Sequence, residues 1–409
     1  MDRNLALGLV DAVLRAVEPS AALRRTWVLP GDGPAWIVGI GKASIGLARE
    51  AAGILGERLR GGVVCAPEAV NLPGLEVCVC DHPLPTVRNL AAARRVERLA
   101  REASADSTLV VLVSGGGSAH LTLPQDGVSL EDLREMTDAL LRGGAAIRDL
   151  NTCRKHLERL KGGRLAAATL ARVETFILSD IPGDPLDQIA SGPTVADPTT
   201  NDQAITVLRR ASPGLAARLG PRMVETPKSL PSRVSPPRVI AGNADAVRSA
   251  ARWLSERGQA VTIAAQDAKG EARGLGEVIG AWLRSLASPG IGGVWGGETT
   301  VSGVPRGAIG GRNLEAAASA AQAIAGIRGA YVLTLATDGK DGSSDAAGAF
   351  VTGETAVAAK GCGVDLSSAL DTHECHAALD AVGALVRTGP TGTNVADLAV
   401  AGLWRGEVD

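Results

Sequence analysis

The stretch Thr108–Ser118, with the sequence TLVVLVSGGGS, constrains the fold more than any other part of this 409-residue chain. Its short run of apolar, mostly β-branched residues predicts a buried strand. The three glycines that follow predict a loop, because glycine adopts backbone angles that side chains forbid. If that loop lies beyond the carboxyl end of a parallel strand, its N–H groups and the hydroxyls of Ser114 and Ser118 can bind an anion, and phosphate is the natural candidate. A purely structural turn is equally consistent with this stretch alone.

Strands and helices alternate along the rest of the chain, which predicts an α/β fold with a mostly parallel sheet. A chain of 409 residues exceeds the size at which one core keeps growing, so we expect two domains. The segment Pro227–Pro237 contains four prolines and little apolar periodicity, and it is the best candidate linker. The sequence therefore predicts a Rossmann-like amino-terminal domain over residues 1–230 and a second, smaller α/β domain over residues 238–409.

Composition and charge disfavour several classes of function. The formal net charge is -2 and aromatic residues make up 2% of the chain, so neither electrostatic attraction nor base stacking favours nucleic-acid binding. Residues 4–17 have the spacing of an amphipathic helix, and no later segment offers about 18 uninterrupted apolar residues, so we predict neither a signal peptide nor a membrane span. Six cysteines, none in a CxxC pair, favour a reducing compartment, and we expect a cytoplasmic protein.

Two further strand ends carry charged residues. The segment Gly39–Ser44 places Lys42 after two glycines. It is not a Walker A loop, because Trp36 stands where the first glycine should be and Ala43 stands where Ser or Thr should hold magnesium. It is also not a complete dinucleotide fingerprint, because Ser44 replaces the third glycine. Asp180 and Asp184 follow another predicted strand, where acids can hold Mg²⁺ or accept a substrate proton. A solvated lysine and turn-forming aspartates are the alternatives.

A basic run follows the predicted phosphate loop. Arg154, Lys155 and Lys161 belong to it, so its local field is strongly positive although the chain is nearly neutral. Such a run usually marks a solvated helix face. Its position after the glycine loop also suits it to attracting or clamping anions.

The second half of the chain has its own charged loops. Arg312 opens an alanine-rich helix, where the macrodipole disfavours a cation, so we expect an anion to offset its charge. The loop 337–345 contains three carboxylates, which suit magnesium-phosphate binding or plain turn chemistry. His373 and His376 have an i, i+3 spacing that could bind a metal on a helix, but no further ligand is identifiable.

In order along the chain, these motifs resemble those of class II glycerate kinases. That family joins an amino-terminal domain of formerly unknown function to a carboxyl-terminal MOFRL domain. The resemblance extends from about residue 35 to residue 398. It is carried by the segments Gly39–Ser44, Val113–Ala119, Asn151–His156, Lys161–Leu165, Ser179–Asp180, Ala190–Thr194, Gly296–Thr300, Gly311–Asn313, Thr337–Gly339 and Gly389–Asn394.

The resemblance implies ATP-dependent phosphorylation of D-glycerate at its 2-hydroxyl, giving 2-phosphoglycerate. It implies a divalent cation and an active site in the cleft between two α/β domains. It also places the MOFRL region at about residues 290–405. The implied ligands are the small-molecule substrate and the nucleotide, bound by a monomer or a homodimer.

The resemblance further implies roles for individual residues. Lys42 and Arg312 would neutralise the transferring phosphoryl group. Asp180 or Asp184 would activate the hydroxyl or hold the metal, and Mg²⁺ would bind at Asp180 and Asp338. The residues implied in substrate or nucleotide binding are Gly39, Gly41, Ser44, Ser114, Gly115, Gly116, Gly117, Ser118, Arg154, Lys155, Lys161, Ser191, Glu298, Thr299, Asn313, Asp338, Thr391 and Asn394.

Two departures from the family pattern concern substrate fit or nucleotide preference. His120 stands beside the glycine loop, where an aliphatic residue is usual in the family. The segment Thr372–His376 matches the usual family segment only at its last residue. Neither departure removes the predicted phosphate-binding residues.

Two alternative functions remain open. Members of the family have also been labelled hydroxypyruvate reductase, and residues 39–42 loosely resemble a nicotinamide site, so an NAD(P)H-dependent hydroxypyruvate reductase is the alternative enzyme. A non-catalytic sensor of phosphorylated organic acids is the second alternative. It would leave Asp180, Asp184 and Asp338 without an obvious purpose.

Overall fold

The computed structural model describes residues 1–305 and 307–405, and the chain divides into two compact units. The amino-terminal unit comprises Pro19–Ser179 and Asp184–Ile240. The carboxyl-terminal unit comprises Met1–Glu18, Asp180–Gly183 and the chain from Ala241 onward. The sequence places residues 1–230 in one domain, whereas the structure groups Met1–Glu18 with the carboxyl-terminal unit.

The elements alternate between strand and helix over most of the chain. The strands are β1 (Ala35–Ile40), β2 (Leu59–Ala66), β3 (Glu76–Val79), β4 (Thr108–Val113), β5 (Arg172–Leu178), β6 (Arg238–Ala241), β7 (Ala260–Ala268), β8 (Ile291–Gly297), β9 (Ala330–Ala336), β10 (Gly348–Thr352), β11 (Leu385–Val386) and β12 (Asp397–Leu403). The helices are α1 (Arg3–Ala16), α2 (Pro19–Thr26), α3 (Ser44–Leu55), α4 (Val87–Glu102), α5 (Gly117–His120), α6 (Leu130–Arg142), α7 (Ile147–Leu157), α8 (Arg164–Ala167), α9 (Asn201–Ala211), α10 (Pro213–Leu219), α11 (Asn243–Ser255), α12 (Ala272–Ser285), α13 (Arg312–Ala323), α14 (Thr355–Gly361), α15 (Leu366–Asp371) and α16 (Cys375–Asp380).

The first sheet belongs to the amino-terminal unit and has six strands in the order β3-β2-β1-β4-β5-β6. The pairs β1–β2, β1–β4, β2–β3 and β4–β5 are all parallel. This is the strand order of a Rossmann fold, whose ligands bind where the order reverses, here between β1 and β4. β4 is buried along its whole length, as expected for a central parallel strand. The predicted α/β fold with a mostly parallel sheet is confirmed.

The proline-rich segment 227–237 does not behave as a free linker. The N–H of Val173 in β5 donates to the carbonyl of Arg233 over 2.9 Å, and the N–H of Ser235 donates to the carbonyl of Val173 over 3.0 Å. Arg233 and Ser235 lie between the prolines, so the carbonyl of the one and the N–H of the other are available to β5, and the segment runs alongside β5 before β6 begins. The segment is therefore hydrogen-bonded to the amino-terminal unit, and the division between the two units falls just after it, between Ile240 and Ala241.

The second sheet belongs to the carboxyl-terminal unit and is mixed. Its six strands follow the order β11-β10-β9-β12-β8-β7. The pair β7–β8 is parallel, and the other neighbouring pairs are antiparallel. β12 lies between β8 and β9, so its first residue, Asp397, is opposite Gly297 and Ala336 at the carboxyl ends of those strands.

Helix α13, which begins at Arg312, packs closely on α12 because both helices present small residues. Its residues Asn313–Ala321 are all buried, and five of these nine are alanine. A Cβ on Gly276 of α12 would lie 2.5 Å from the carbonyl oxygen of Ala316, so only glycine fits there without a shift of one helix. Gly274, in the same helix, has no atom within 4 Å of such a Cβ.

Among the described residues, no helix has both the length and the apolar character that crossing a membrane requires. All six cysteines lie within the described residues and are free thiols.

The two glycines of α12 give a matched test of this packing. We expect Gly276→Ala to lower the free energy of unfolding by about 1–3 kcal/mol, the usual cost of overpacking. Gly274→Ala should raise it by up to about 1 kcal/mol, because alanine is the better helix former and the site is open. Urea denaturation measures both changes, and a stabilising Gly276→Ala would contradict the close approach of α12 and α13.

Candidate active site

Four hydrogen bonds join the end of β1 and the loop after it to the loop after β4, and one of them runs from the Ser114 hydroxyl to the Ile40 carbonyl over 3.3 Å. The N–H of Ser114 donates to the Ile40 carbonyl over 2.9 Å, and the N–H of Lys42 donates to the Gly115 carbonyl over 2.9 Å. The N–H of Ala43 donates to the Ser114 hydroxyl over 3.0 Å. The two loops therefore form one rigid element at the switch point of the sheet, and the exposed Lys42 is presented from it.

Glycine is required at two positions of this element. Gly41 has a φ of +109°, and a Cβ there would overlap the carbonyl oxygen of Ser114. Gly116 has a φ of +80°, and a Cβ there would lie 3.4 Å from Cγ of Lys42 and 3.3 Å from the ring of His82. Both residues allow the backbone to turn where side chains would block it. The glycine loop predicted from the sequence thus follows β4 and reaches Lys42.

Gly39 and Ser44 belong to the support of the loops. Gly39 lies within β1, where a Cβ would be 3.0 Å from Cγ1 of Val64. Ser44 is buried at the start of α3, and its hydroxyl donates to the carbonyl of Cys65 over 3.2 Å. Neither residue is exposed, so both support the loops and do not face a ligand directly.

The segment after β5 packs against the glycine loop. Asp184, Ala190 and Ser191 have φ angles of +51°, +49° and +59°, which non-glycine residues rarely adopt. A Cβ on Gly117 would lie 2.7 Å from Cβ of Ala190, and the hydroxyls of Ser118 and Ser191 are 2.8 Å apart. Clusters of such strained residues are typical of functional sites.

Lys155 is fully buried and already neutralised by protein carboxylates. Its Nζ lies 3.1 Å from Oδ2 of Asp187 and 3.2 Å from Oδ1 of Asp197. A buried lysine with two carboxylate partners is held in place by them. The structure therefore gives Lys155 a supporting position beneath the loop 187–197.

Lys161 supports the glycine loop directly. Its buried Nζ donates to the carbonyl of Ser118 over 2.6 Å and to Oε1 of Glu158 over 2.6 Å. Burial lowers the pKa of Lys161 to about 8, although the charge of Glu158 opposes this. Arg154, in the last turn of α7, is half-buried and donates no hydrogen bond to any residue that the structure describes.

His120 ends the short helix α5 behind the glycine loop. It is fully buried, and its Nδ1 lies 3.2 Å from the carbonyl oxygen of Cys65. Burial lowers its pKa to about 4, so the ring is neutral at pH 7. His120, the residue that departs from the family pattern, therefore supports the glycine loop from behind.

In the carboxyl-terminal unit, Arg312 is fixed by Asp397. Its Nε and Nη2 atoms both contact the Asp397 carboxylate, the latter over 3.3 Å, and its Nη1 lies 2.7 Å from Oε1 of Glu298. Asp397 is buried between the ends of β8 and β9, whereas Glu298 is exposed. The anion expected to offset the charge of Arg312 is therefore supplied by the protein itself.

A second carboxylate occupies the amino terminus of α13. Asp341 accepts hydrogen bonds from the N–H groups of Asn313 over 3.0 Å and Leu314 over 2.8 Å. The side chain of Asn313 also donates to Asp341 over 3.2 Å, so Asn313 is committed to this cap. Burial raises the pKa of Asp341, and the hydrogen bonds from Asn313 and Leu314 oppose that rise.

The pKa of Asp397 is raised to about 7, chiefly by burial. Arg312 opposes this rise, and the nearby carboxylates of Asp341 and Glu298 add to it. The ionic hold of Asp397 on Arg312 therefore changes near neutral pH.

The loop after β9 packs against the loop Gly389–Asn394. The hydroxyl of Thr391 donates to the carbonyl of Thr337 over 2.6 Å, and its N–H lies 3.4 Å from the carbonyl of Asp338. A Cβ on Gly339 would overlap a carbonyl oxygen of the facing loop. Asp338, Thr391 and Asn394 are thus gathered in one place, each half-buried.

His373 and His376 do not converge on a common ligand. His373 contacts Glu315, and Nε2 of His376 lies 2.7 Å from Oδ1 of Asp345. Within residues 1–305 and 307–405, no group of three or more His, Cys, Asp or Glu side chains is arranged to hold a metal ion. A metal site at this histidine pair is not supported.

Sequence reasoning missed Asp397, Asp341 and the acidic partners of Lys155. Asp397 stands at the start of an apolar run from residue 397 to residue 403, which was a signal for a strand with an acid at its end. Asp341 was counted only as one of several loop carboxylates. Asp187 and Asp197 had no local pattern that distinguished them from turn residues.

Two family models match the chain: a domain of unknown function (DUF4147) over residues 5–223, and the MOFRL family over residues 292–397. D-glycerate 2-kinase from Thermotoga maritima is 38% identical over 411 residues, covering 97% of each chain. The crystal structure of glycerate kinase from the same organism matches with a TM-score of 0.90 and 37% identity, covering 98% of this chain and 99% of that one. This chain belongs to the glycerate kinase family.

Membership in the glycerate kinase family confirms the resemblance drawn from the motifs and the prediction of a kinase. A protein named putative hydroxypyruvate reductase, from Agrobacterium vitis, is also similar, at 35% identity over 97% of this chain and 93% of that protein. The DUF4147 match contains Lys42 and the glycine loop, and the MOFRL match contains Glu298, Arg312 and Asp397.

The burial of Lys155 predicts a structural role that can be measured. Lys155→Met would leave Asp187 and Asp197 without their cation, so we expect the free energy of unfolding to fall by about 3–5 kcal/mol. Lys360→Met, at an exposed position on α14, should change it by no more than about 0.5 kcal/mol. A Lys155→Met variant as stable as the control in chemical denaturation would show that Lys155 is not held by this pair.

Proposed function

We propose that this chain transfers the γ-phosphoryl group of ATP to the 2-hydroxyl of D-glycerate, giving 2-phosphoglycerate and ADP. The observation that carries this proposal is the position of Lys42 and Arg312. Each is a half-buried or exposed cation where central strands of its own sheet end, in a chain similar to a protein named D-glycerate 2-kinase. Phosphoryl transfer depends mainly on positioned positive charge, so these two cations suit it.

Lys42 and Arg312 act on the same phosphoryl group in this proposal. The backbone of Lys42 is fixed by the loop after β4, and the Nε edge of Arg312 is fixed by Asp397. The Nη1 edge of Arg312 contacts only the exposed Glu298 in the ion pairs of the described residues. A phosphoryl oxygen can replace that carboxylate, because the guanidinium binds phosphate and carboxylate in the same fork geometry.

The acceptor hydroxyl needs a base or a metal. Asp180 and Asp184 both follow β5 and are half-buried, so either carboxylate can take the proton as the 2-hydroxyl oxygen bonds to phosphorus and the bond to ADP breaks. Mg²⁺ usually binds through one or two carboxylates together with substrate phosphates, which fits Asp180 and Asp338 without a larger cluster of acids. When bound, Mg²⁺ would neutralise phosphate oxygens.

An NAD(P)H-dependent reduction of hydroxypyruvate is the second candidate. It is favoured by the similarity to the protein named putative hydroxypyruvate reductase and by the Rossmann strand order. Against it, the position of the third fingerprint glycine is held by the buried Ser44, whose hydroxyl is bonded to Cys65. Phosphoryl transfer gives a role to the cations Lys42 and Arg312 and to the acids that follow β5, whereas reduction of hydroxypyruvate gives a role to neither group.

One pair of coupled assays separates the two candidates. Purified protein with Mg²⁺, ATP and D-glycerate should release ADP in proportion to the glycerate consumed. The same protein with hydroxypyruvate and NADH or NADPH should leave the cofactor absorbance unchanged. ADP release that does not depend on glycerate, or oxidation of the cofactor, would contradict the proposal.

Single and double removal of the two cations tests their shared target. We expect Lys42→Ala and Arg312→Ala each to lower kcat by at least about a hundredfold, the range for deleting one preorganised electrostatic group. The double variant should be much less than multiplicatively worse, because both groups stabilise one transition state. Lys360→Ala is the matched surface control. Near-normal kcat in either single variant at saturating substrates would refute the assignment.

Asp397 gives a prediction about pH. Below about pH 7 the carboxyl of Asp397 takes up a proton and loses its ionic hold on Arg312, so we expect the wild-type kcat to fall as the pH drops through 7. Asp397→Asn should lower kcat at least about tenfold at pH 8 and should lack that acidic limb. Asp380→Asn, at an exposed site, serves as control. A wild-type limb that persists in Asp397→Asn would assign it to another group.

A further inference from the structure

We infer that Arg154 is the receptor for the substrate carboxylate, acting beside the paired hydroxyls of Ser118 and Ser191. This inference rests on the proposed function and deepens it, because it names the chemical group that makes a 2-hydroxy acid, and not a neutral polyol, the substrate class. The three residues belong to the amino-terminal unit.

The geometry of α7 turns Arg154 toward this site. Asn151, Arg154 and Lys155 have the spacing i, i+3, i+4, which places them on one face of α7, and Glu158 follows the end of the helix in an extended conformation. Three of them contact the region of the glycine loop. Asn151 binds Ser191 and Lys155 binds the loop 187–197, while Glu158 binds the lysine that holds Ser118. Arg154 shares the helix face of Asn151 and Lys155, and it is close enough to Glu158 and Lys161 for their charges to interact with its own.

The ion pairs of this face leave Arg154 as the cation available to a ligand. Lys155 is matched by Asp187 and Asp197, and Lys161 is matched by Glu158. The side chain of Arg154 has no ion pair or hydrogen bond with the residues that the structure describes. Burial lowers the pKa of Arg154, and the charge of Glu158 only partly opposes this. A half-buried guanidinium without such partners is stabilised by an anion that can reach its nitrogen atoms.

The neighbouring polar groups form a connected chain that ends at the site. The Ser118 and Ser191 hydroxyls are 2.8 Å apart, and the Ser191 hydroxyl donates to the Asn151 amide oxygen over 3.2 Å. The Asn151 amide nitrogen in turn donates to Gln188 over 3.2 Å. Ser191 is held at a positive φ for this contact. Ser118 is half-buried at the end of the chain, where its hydroxyl can bind a substrate oxygen.

Arginine at this position explains selection of a carboxylate. Its planar guanidinium can donate two parallel hydrogen bonds to the two carboxylate oxygens, and a lysine ammonium cannot reproduce this fork. Hydrogen bonds to charged groups are strong enough that losing them weakens binding by roughly ten- to a hundredfold. We therefore expect the loss of Arg154 to weaken the binding of glycerate and to leave the binding of the nucleotide unchanged.

The test compares Arg154→Gln, Arg154→Lys and the control Arg148→Ala. Arg148 lies on the same helix and is exposed. We expect Arg154→Gln to raise the KM for D-glycerate about ten- to a hundredfold, with the KM for ATP within about twofold of the wild type. Arg154→Lys should be intermediate, and Arg148→Ala should match the wild type. The ratio of kcat/KM for D-glycerate to that for its methyl ester should fall at least about tenfold in Arg154→Gln.

A binding measurement keeps this inference separate from the proposed reaction. D-glycerate alone should raise the Tm of the wild type and of Arg148→Ala, and this rise should be absent in Arg154→Gln. An unchanged KM for glycerate in Arg154→Gln, or an increase confined to ATP, would overturn the carboxylate assignment. A lower Tm with an unchanged glycerate-induced rise would do the same. Failure of the wild type to release ADP would instead reject the proposed function.

Discussion

The hydrogen bonds between the loops after β1 and β4 are the interaction on which the amino-terminal site depends. They tie the N–H of Lys42 to Gly115 and the N–H of Ala43 to Ser114, so the exposed side chain of Lys42 projects from a backbone that is fixed. The two strands are neighbours in a parallel sheet whose order reverses between them, which is why both loops emerge at the same place. Behind the loop, Lys161 holds the Ser118 carbonyl.

The carboxyl-terminal unit fixes its cation in a different way. The carboxylate of Asp397 binds one edge of the Arg312 guanidinium. Asp341 caps α13, the helix that begins at Arg312. Because Asp397 begins a strand inserted between the ends of β8 and β9, the ion pair is set by the sheet. The other edge of Arg312 is paired with the exposed Glu298. A ligand anion can replace that carboxylate, as binding of an anion by Arg312 requires.

Local patterns in the sequence were enough to predict much of the fold and the loops at the strand ends. The run Thr108–Ser118 predicts a strand and a loop, and Gly39–Ser44 predicts a loop at a strand end. The structure has those elements, and it adds the short helix α5 at Gly117. The partners of the charged residues were not predictable in the same way. Asp397 meets Arg312 across 85 positions of the chain, and Lys155 meets Asp197 across 42, through a strand order and loop packing that no local spacing encodes. The sequence therefore assigned Lys155 and Lys161 to substrate or nucleotide binding. In the structure, Lys155 is paired with Asp187 and Asp197, and Lys161 is paired with Glu158.

The central claim is that a phosphoryl group is transferred to the 2-hydroxyl of D-glycerate, and phosphorus NMR of the product tests it most directly. A phosphate on the second carbon couples to the one proton of that carbon, whereas a phosphate on the third carbon couples to two. After reaction of the purified protein with ATP, Mg²⁺ and D-glycerate, we expect the new phosphomonoester signal to be a doublet in the proton-coupled spectrum. A triplet, or ATP consumption with only inorganic phosphate as the product, would contradict the account.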